Sequence, residues 1–266
     1  MYDKFKRKIN YLRISITDRC NLRCTYCMPE EGIQLMEHSD IISFEEIVDV
    51  VKISVGLGID KVRITGGEPL VRKGIVDLVA MITKIPGIVD FGLTTNGILL
   101  KKYAKGLKEA GLHRVNVSLD TLNPQRYNQI TRLGKIEDVL QGIAEAQKVG
   151  LTPVKINCVI KKSSQEPDAI EVAEYCRKNN FQIRFIHQME LSMGHFTVVE
   201  GGDGGDCSIC NRIRLTANGN IKPCLFNNLE YNIRDIGIEE AIAKALKHKP
   251  SCGSKNTNGT FYNIGG

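Results

Sequence analysis

Apolar residues recur along this chain in two rhythms. Six short β-branched runs, at residues 11–17, 61–65, 91–95, 114–119, 154–160 and 182–188, read as strands. Between them, apolar positions fall three and four residues apart, the spacing of helices with one buried face. Helices are therefore expected over residues 43–57, 73–84, 99–111, 136–150 and 166–180. The first opens on a capping box, with Ser43 as N-cap and Glu46 three residues on. Gly58, Gly111 and Gly150 stand where glycine commonly ends a helix.

Strand–helix–strand alternation predicts parallel strands joined by crossover helices. The six units run over residues 11–189. An eight-unit barrel takes ~250 residues, so six units should take roughly 180. The expected fold is α/β, an incomplete six-unit parallel β/α barrel with its active face at the C-terminal strand ends. Periodicity alone leaves an open doubly wound sheet as the alternative. The segment EGGDGGD at 200–206 reads as a flexible linker. The expected organisation is a barrel over 1–190, a Gly/Asp-rich linker over 191–206 and a C-terminal region over 207–266.

Composition narrows the class. Of the 266 residues, 42% are apolar and 25% charged, ordinary for a globular chain and unlike a disordered or fibrous one. No apolar run approaches the ~20 residues of a membrane span, and no apolar signal core follows the start, so a cytoplasmic protein without a membrane partner is expected. A net charge of +6 permits an anionic ligand, but no basic run or basic-aromatic stripe points to nucleic acid. Nine cysteines in such a chain favour metal binding or catalysis over disulfides.

Six of the nine form two clusters. Cys20, Cys24 and Cys27 are spaced C-x3-C-x2-C in the loop after the first strand, within DRCNLRCTYCMPEEG. Three thiolates on one short loop can converge on a soft metal centre. A four-iron cluster held by three cysteines keeps one iron open, whereas zinc with a distant fourth ligand is the plainer reading. The loop resembles the signature of the radical S-adenosylmethionine (SAM) superfamily. That resemblance implies a [4Fe–4S] cluster whose open iron chelates SAM, reductive cleavage to a 5′-deoxyadenosyl radical, and Tyr26 at the aromatic position of the motif. Gly66, Gly67 and Glu68 end the second strand as the family's GGEP motif, which implies contact with the SAM amine. Thr94, Asn96, Ser118 and Arg184 match further SAM-contact positions. Read singly, each is an ordinary strand-end residue.

Cys207, Cys210 and Cys224 give C-x2-C-x13-C. By spacing this is a metal knuckle short of one ligand, and half a zinc ribbon completed by Cys252 or a histidine is the bland reading. Together with YLRISITDRCNLRCTYCMP, RVNVSLDTL, CNRIRLT and the final Ile264-Gly265-Gly266, it resembles the GTP 3′,8-cyclases of molybdenum cofactor biosynthesis over nearly the whole chain. The resemblance implies a second [4Fe–4S] cluster facing a purine. It also implies hydrogen abstraction at ribose C3′, attack of that carbon on guanine C8, and completion by one electron and one proton. Arg212 and Arg214, two apart in an extended stretch, share a face. With Arg13, Lys61, Arg63 and Lys155 on the strands they match the family's nucleotide-binding positions, where Arg and Lys clamps grip phosphates. Arg13 further matches a position assisting radical quenching, and Gly265 and Gly266 match a tail needed for cyclisation. Cys158 and Cys176 are expected to be buried packing thiols.

The match breaks between Arg184 and Cys207, where this chain is several dozen residues shorter than such proteins usually are, with His187, Met189 and Glu190 where a glutamate and a Met-Pro pair commonly follow. Two other readings therefore stand beside the cyclase. One keeps the radical chemistry on another nucleotide or a peptide. The other is a non-enzymatic zinc or iron–sulfur protein. Implied partners are GTP, an electron donor such as flavodoxin or ferredoxin, the next enzyme of the pathway, and a second copy in a homodimer.

Overall fold

The computed structural model describes residues 1–258 and 261–264. Six strands come first: β1 (Tyr11–Ser15), β2 (Lys61–Thr65), β3 (Asp90–Thr95), β4 (Arg114–Ser118), β5 (Lys155–Ile160) and β6 (Gln182–His187). They lie side by side in sequence order, and every neighbouring pair is parallel. A doubly wound sheet reverses its order at a switch point. No reversal occurs across these six strands, which is the arrangement of the expected partial barrel.

The crossovers are α1 (Phe44–Gly56), α2 (Ile75–Thr83), α3 (Leu100–Glu109), α4 (Pro124–Thr131), α5 (Ile136–Lys148) and α6 (Pro167–Asn179). The capping box forms as expected, Ser43 N donating to Glu46 Oε2 (2.7 Å) and Glu46 N to Ser43 Oγ (3.1 Å). Helix α4 was not expected. Its sequence PQRYNQIT offers only Tyr127 and Thr131 as buried positions, too few for a visible helical period.

The strands alternate. Leu12, Ile14, Val62, Ile64, Phe91, Leu93, Val115, Val117, Ile156 and Cys158 are at most 1% exposed and join the helices in one apolar core. Full burial of one such side chain is worth roughly 1.5–3 kcal/mol. The intervening positions carry Arg13, Lys61, Arg63, Arg114, Lys155 and Arg184, and these line the barrel interior. Successive strand residues point to opposite faces, so the same pleat that builds the outer core loads the inside with charge. Cys158 and Cys176 are buried in the core, as packing thiols should be.

The chain then extends the sheet beyond β1 with β7 (Arg212–Leu215), β8 (Asn220–Lys222) and β9 (Tyr231–Asn232). Strand β7 is parallel to β1, while β8 and β9 are antiparallel. The β7–β8 turn passes through Gly219 at φ +84°, a left-handed position that suits glycine. Helices α7 (Ile233–Ile236), α8 (Ile238–Lys247) and α9 (Phe261–Ile264) follow, with α8 packed beside α1. The glycine-rich stretch at 200–206 does not hang as slack. Glu200 and Phe185 exchange backbone hydrogen bonds of 3.0 and 3.1 Å, and a Cβ at Gly201 or Gly205 would strike a backbone carbonyl. Gly201 serves close packing on β6 and Gly205 on the backbone of Thr197.

Candidate active site

The loop carrying Cys20, Cys24 and Cys27 leaves the end of β1 and is tied down from two sides. Arg23 N and Thr25 N donate to the carbonyls of Thr131 and Ile130 at the end of α4 (3.1 and 2.9 Å). Arg132 Nη1 donates back to the carbonyls of Arg23 and Met28 (2.9 and 3.0 Å). A turn closes the loop, Cys27 N and Met28 N both donating to Cys24 O (2.9 and 3.0 Å). Burial raises the pKa of all three thiols, that of Cys27 up to about 12, with the neighbouring Cys20 adding to it. Asp120 and Cys27 act likewise on Cys24. As bare thiolates they would be costly here, and a bound cation would reverse that cost.

Gly66 and Gly67 follow β2. Two adjacent glycines leave empty the space that side chains would take. The structure fills that space with the chain's own backbone: a Cβ at Gly67 would be driven into the Arg19 carbonyl, and Gly67 N donates to Thr17 O (2.7 Å). The pair locks the cysteine loop's entry against β2. Glu68 is 1% exposed, and its carboxylate accepts from Leu70 N (3.0 Å), Thr95 Oγ1 (2.7 Å) and Asn96 N (2.7 Å). Burial outweighs these three bonds and lifts its pKa to about 7. A carboxylate takes about four hydrogen bonds, so it retains capacity for one further donor. Asn96 reaches from the end of β3 to Asn21 Oδ1 (2.8 Å) in the cysteine loop. Tyr26 donates its hydroxyl to Asp120 Oδ2 (2.7 Å), whose other oxygen accepts from Val159 N (2.8 Å). Thr94, Ser118 and Arg184 line the same cavity.

That cavity, about 530 Å³, is where the arginines gather. In the strand register Arg13 stands opposite Arg63 on one side and Arg214 on the other. Arg63 in turn faces Gly92, which faces Arg114. Gly92 leaves room for the Arg114 head, since a Cβ there would lie 3.3 Å from Nη1. A second row joins Lys61, Tyr11 and Arg212, with the Arg63 and Arg212 guanidinium carbons 5.3 and 5.6 Å from the Tyr11 ring centre. Asp90 pairs with Arg114 (2.7 Å) and Asp203 with Arg212 (3.0 Å). Burial together with neighbouring cations depresses Arg63 to about 10, Lys155 to about 8, and Arg13 and Arg184 as well. Burial likewise brings Arg214 to about 10. Inside the barrel, Tyr11 Oη, Arg63 Nε, Thr94 Oγ1 and Asn157 Oδ1 are buried polar atoms to which the chain supplies no partner.

Cys207, Cys210 and Cys224 open on the same cavity from the β7–β8 side. Cys210 differs electrostatically from the first trio. Burial disfavours the Cys210 thiolate, but Lys249 and Arg212 more than offset it and lower the pKa. Lys249 is 1% exposed and donates to the carbonyls of Arg212 (2.7 Å) and Pro223 (2.6 Å). Among the described residues, no three His, Cys, Asp or Glu side chains are drawn as tightly together as one metal ion requires. Each trio is an all-thiolate donor set, the kind that holds soft metal centres.

The fold thus brings Arg13, Tyr26, Lys61, Arg63, Gly66, Gly67, Glu68, Thr94, Asn96, Ser118, Lys155, Arg184, Arg212 and Arg214 to one cavity with all six cysteines. Gly265 and Gly266 lie outside the described residues. The preceding Ile264 docks with Leu191, Leu225 and Phe226 in a small apolar cluster. Sequence reasoning missed Tyr11, Asp90, Arg114, Asp120, Asn157 and Lys249. Arg114 had a readable signal, since it opens β4 as Lys61 opens β2 and Lys155 opens β5. A further cavity of about 620 Å³ adjoins Tyr26 and Cys27 and is lined by Lys161, Gln188 and His195.

The sequence profile of the Radical SAM superfamily matches residues 14–183. The GTP 3′,8-cyclase of Thermodesulfovibrio yellowstonii is 43% identical over 97% of this chain and 97% of its own. That of Alkaliphilus oremlandii is 43% identical over 94% and 93%. The first alignment runs over 311 positions, more than the 266 residues here, so that relative carries several dozen residues which this chain lacks. Among solved structures, SuiB of Streptococcus suis bound to S-adenosylmethionine superposes with a TM-score of 0.68 at 17% identity, covering 92% of this chain and 65% of SuiB. Native anSMEcpe with bound AdoMet gives 0.67 at 17% identity, covering 91% and 81%. At such identities these structures share the fold.

Proposed function

The chain belongs to the GTP 3′,8-cyclases of the radical SAM superfamily, and from that premise we propose that its barrel turns GTP into (8S)-3′,8-cyclo-7,8-dihydroguanosine 5′-triphosphate, the first step of molybdenum cofactor biosynthesis. The observation that carries this reading is the meeting of both cysteine trios and the arginine rows in one cavity. Superfamily membership brings a [4Fe–4S] cluster and SAM, which when bound would supply radical chemistry at the ribose.

The chain's own residues bind, orient and shield. Cys20, Cys24 and Cys27 would hold the cluster; Glu68, with one acceptor site to spare, would take the SAM ammonium, with Thr94, Asn96, Ser118 and Arg184 beside it. Tyr26, pinned by Asp120, keeps the loop's aromatic edge in place. Cys207, Cys210 and Cys224 hold a second cluster. Lys61, Arg63, Lys155, Arg212 and Arg214 grip the triphosphate, whose charge offsets the burial and cation–cation repulsion that depress Arg63, Lys155 and Arg214. Arg13, between Arg63 and Arg214 in the strand register, assists the quenching step, and Gly265 and Gly266 keep the part in cyclisation that the family implies. Positioning and exclusion of water, rather than acid–base chemistry, are what such a site contributes.

The reading includes a small electron donor such as flavodoxin or ferredoxin, hand-over of product to the next enzyme of the pathway, a homodimer and a cytoplasmic setting. Among the described residues no helix is long and apolar enough to cross a membrane. The missing several dozen residues favour one second reading, the same chemistry on another nucleotide. A peptide fits the arginine rows less well. Anaerobic reconstitution followed by incubation with GTP, SAM and a strong reductant tests the proposal. Two clusters require about eight irons per chain, and cyclised GTP should accompany 5′-deoxyadenosine. Deoxyadenosine without a cyclised nucleotide would remove GTP as substrate.

A further inference from the structure

Cys252 belongs to neither trio by spacing, yet the fold carries it to the second one. Its Sγ lies 3.1 Å from Cys207 Sγ. Separate anchors hold its segment there. Lys249, three residues earlier, bonds the carbonyls of Arg212 and Pro223, which stand close to Cys210 and Cys224 in the chain. Arg7, 9% exposed and paired with Asp3, donates from Nη1 to the carbonyls of Cys207 (2.6 Å) and Ser251 (2.9 Å), and from Nη2 to that of Pro250 (2.6 Å). One guanidinium therefore clamps the backbone on both sides of the thiol pair. Gly253 lets the segment lie against the third cysteine, since a Cβ there would sit 3.3 Å from Cys224 Sγ. Cys252 itself is exposed and Cys207 half-buried, so small molecules reach the pair.

We propose that Cys207 and Cys252 form a reversible redox couple, closed as a disulfide while the second centre is empty and opened to thiols before iron is taken up. The iron-gating half rests on the reading of Cys207 as a cluster ligand. Sulfurs already in contact need to close by only about 1 Å to reach bonding distance. The oxidant is a low-molecular-weight disulfide such as glutathione disulfide. The exposed Cys252 thiolate attacks one of its sulfurs and releases one glutathione thiolate. The Cys207 thiolate then attacks Cys252 Sγ and releases the second. Two protein thiols become one disulfide, one glutathione disulfide becomes two glutathiones, and the two thiol protons end on the released glutathiones. Since Cys207 cannot serve bridge and cluster at once, the closed form keeps the empty site from premature metal and from irreversible oxidation of Cys207. Disulfides that form in reducing compartments are typically of this transient kind.

The full-length chain is stripped of iron with a chelator under reducing conditions, exposed to glutathione disulfide, alkylated, digested and mapped by mass spectrometry. One cross-linked peptide joining Cys207 and Cys252 is expected, with the other thiols alkylated. Reconstitution of the oxidised chain should then take up about four irons instead of about eight, and dithiothreitol should restore the difference. Cys252→Ser should lose the cross-link while accepting the full iron complement when reduced. Recovery of both cysteines alkylated, as separate glutathione adducts, or bridged to other cysteines overturns the couple. A reduced chain limited to about four irons overturns the gating half and the second cluster together, which the cross-link map distinguishes from failure of the couple alone.

Discussion

Arg13 and Arg63 face each other across the β1–β2 ladder, two guanidinium groups side by side inside a barrel. Like charges directly opposite on neighbouring strands destabilise by up to ~1 kcal/mol, so this row lowers the stability of the free protein and rewards a bound polyanion. Arg63→Gln should raise the melting temperature of the ligand-free chain by roughly 2 °C. It should also weaken GTP binding by about tenfold or more, the value of a charged hydrogen bond. Thermal scans with and without GTP read both effects. A lowered melting temperature with unchanged affinity would disprove the arrangement.

Lys155 links the same site to pH. Burial, then Arg114, Arg184 and Arg63, bring its pKa down to about 8. Below that value the ammonium is charged in the free protein; above it the amine is neutral. A triphosphate stabilises the charged form and raises the pKa on binding. GTP affinity should therefore hold at lower pH and decline as pH rises through about 8, with uptake of up to one proton near that value. Calorimetry in two buffers of different ionisation enthalpy measures the uptake, and Lys155→Arg should abolish it.

Arg132 clamps the first cysteine loop through the carbonyls of Arg23 and Met28. Arg132→Ala leaves those two carbonyls without their donor, a loss of about 1–1.5 kcal/mol. Loss of the first cluster to a chelator should accelerate by about five- to tenfold, with no comparable change at the second. Site-resolved spectra of the two clusters during chelation decide the matter, and equal acceleration at both would rule out a local clamp.

Glu46 works on the outside of the barrel. Arg234 grips both its oxygens (2.6 and 2.9 Å), and this hydrogen bonding, beside the Ser43 amide, holds the carboxyl down to about 2. A carboxyl depressed on folding contributes stability above its ordinary value near 4.5 and loses it as pH falls through about 2. Arg234→Ala should move that loss to higher pH, seen as an acid-unfolding midpoint shifted upward in circular dichroism. An unchanged midpoint would mean that the α1–α7 tie adds nothing to acid stability.

Most of the barrel was legible because its cues are local. The period of two in β2, the capping box at Ser43 and the terminal glycines all act within a few residues. Helix α4 escaped, since PQRYNQIT presents almost no apolar period and is held by the loop it clamps. The close packing at Gly66 and Gly67 also escaped, because what fills the space beside a bare glycine depends on what folds against it, here Thr17 to Arg19.

The amino-acid sequence by itself determined the alternation of strands and helices, the two sulfur trios and the inward-pointing cations, because periodicity and ligand spacing are properties of neighbours in the chain. Only the tertiary structure decided that Arg13 lies between Arg63 and Arg214, that Arg114 reaches over Gly92, and that Cys252 meets Cys207. These relations join residues far apart in the chain. Strand register and the closing of the sheet bring such residues together, and neither is encoded in any single stretch.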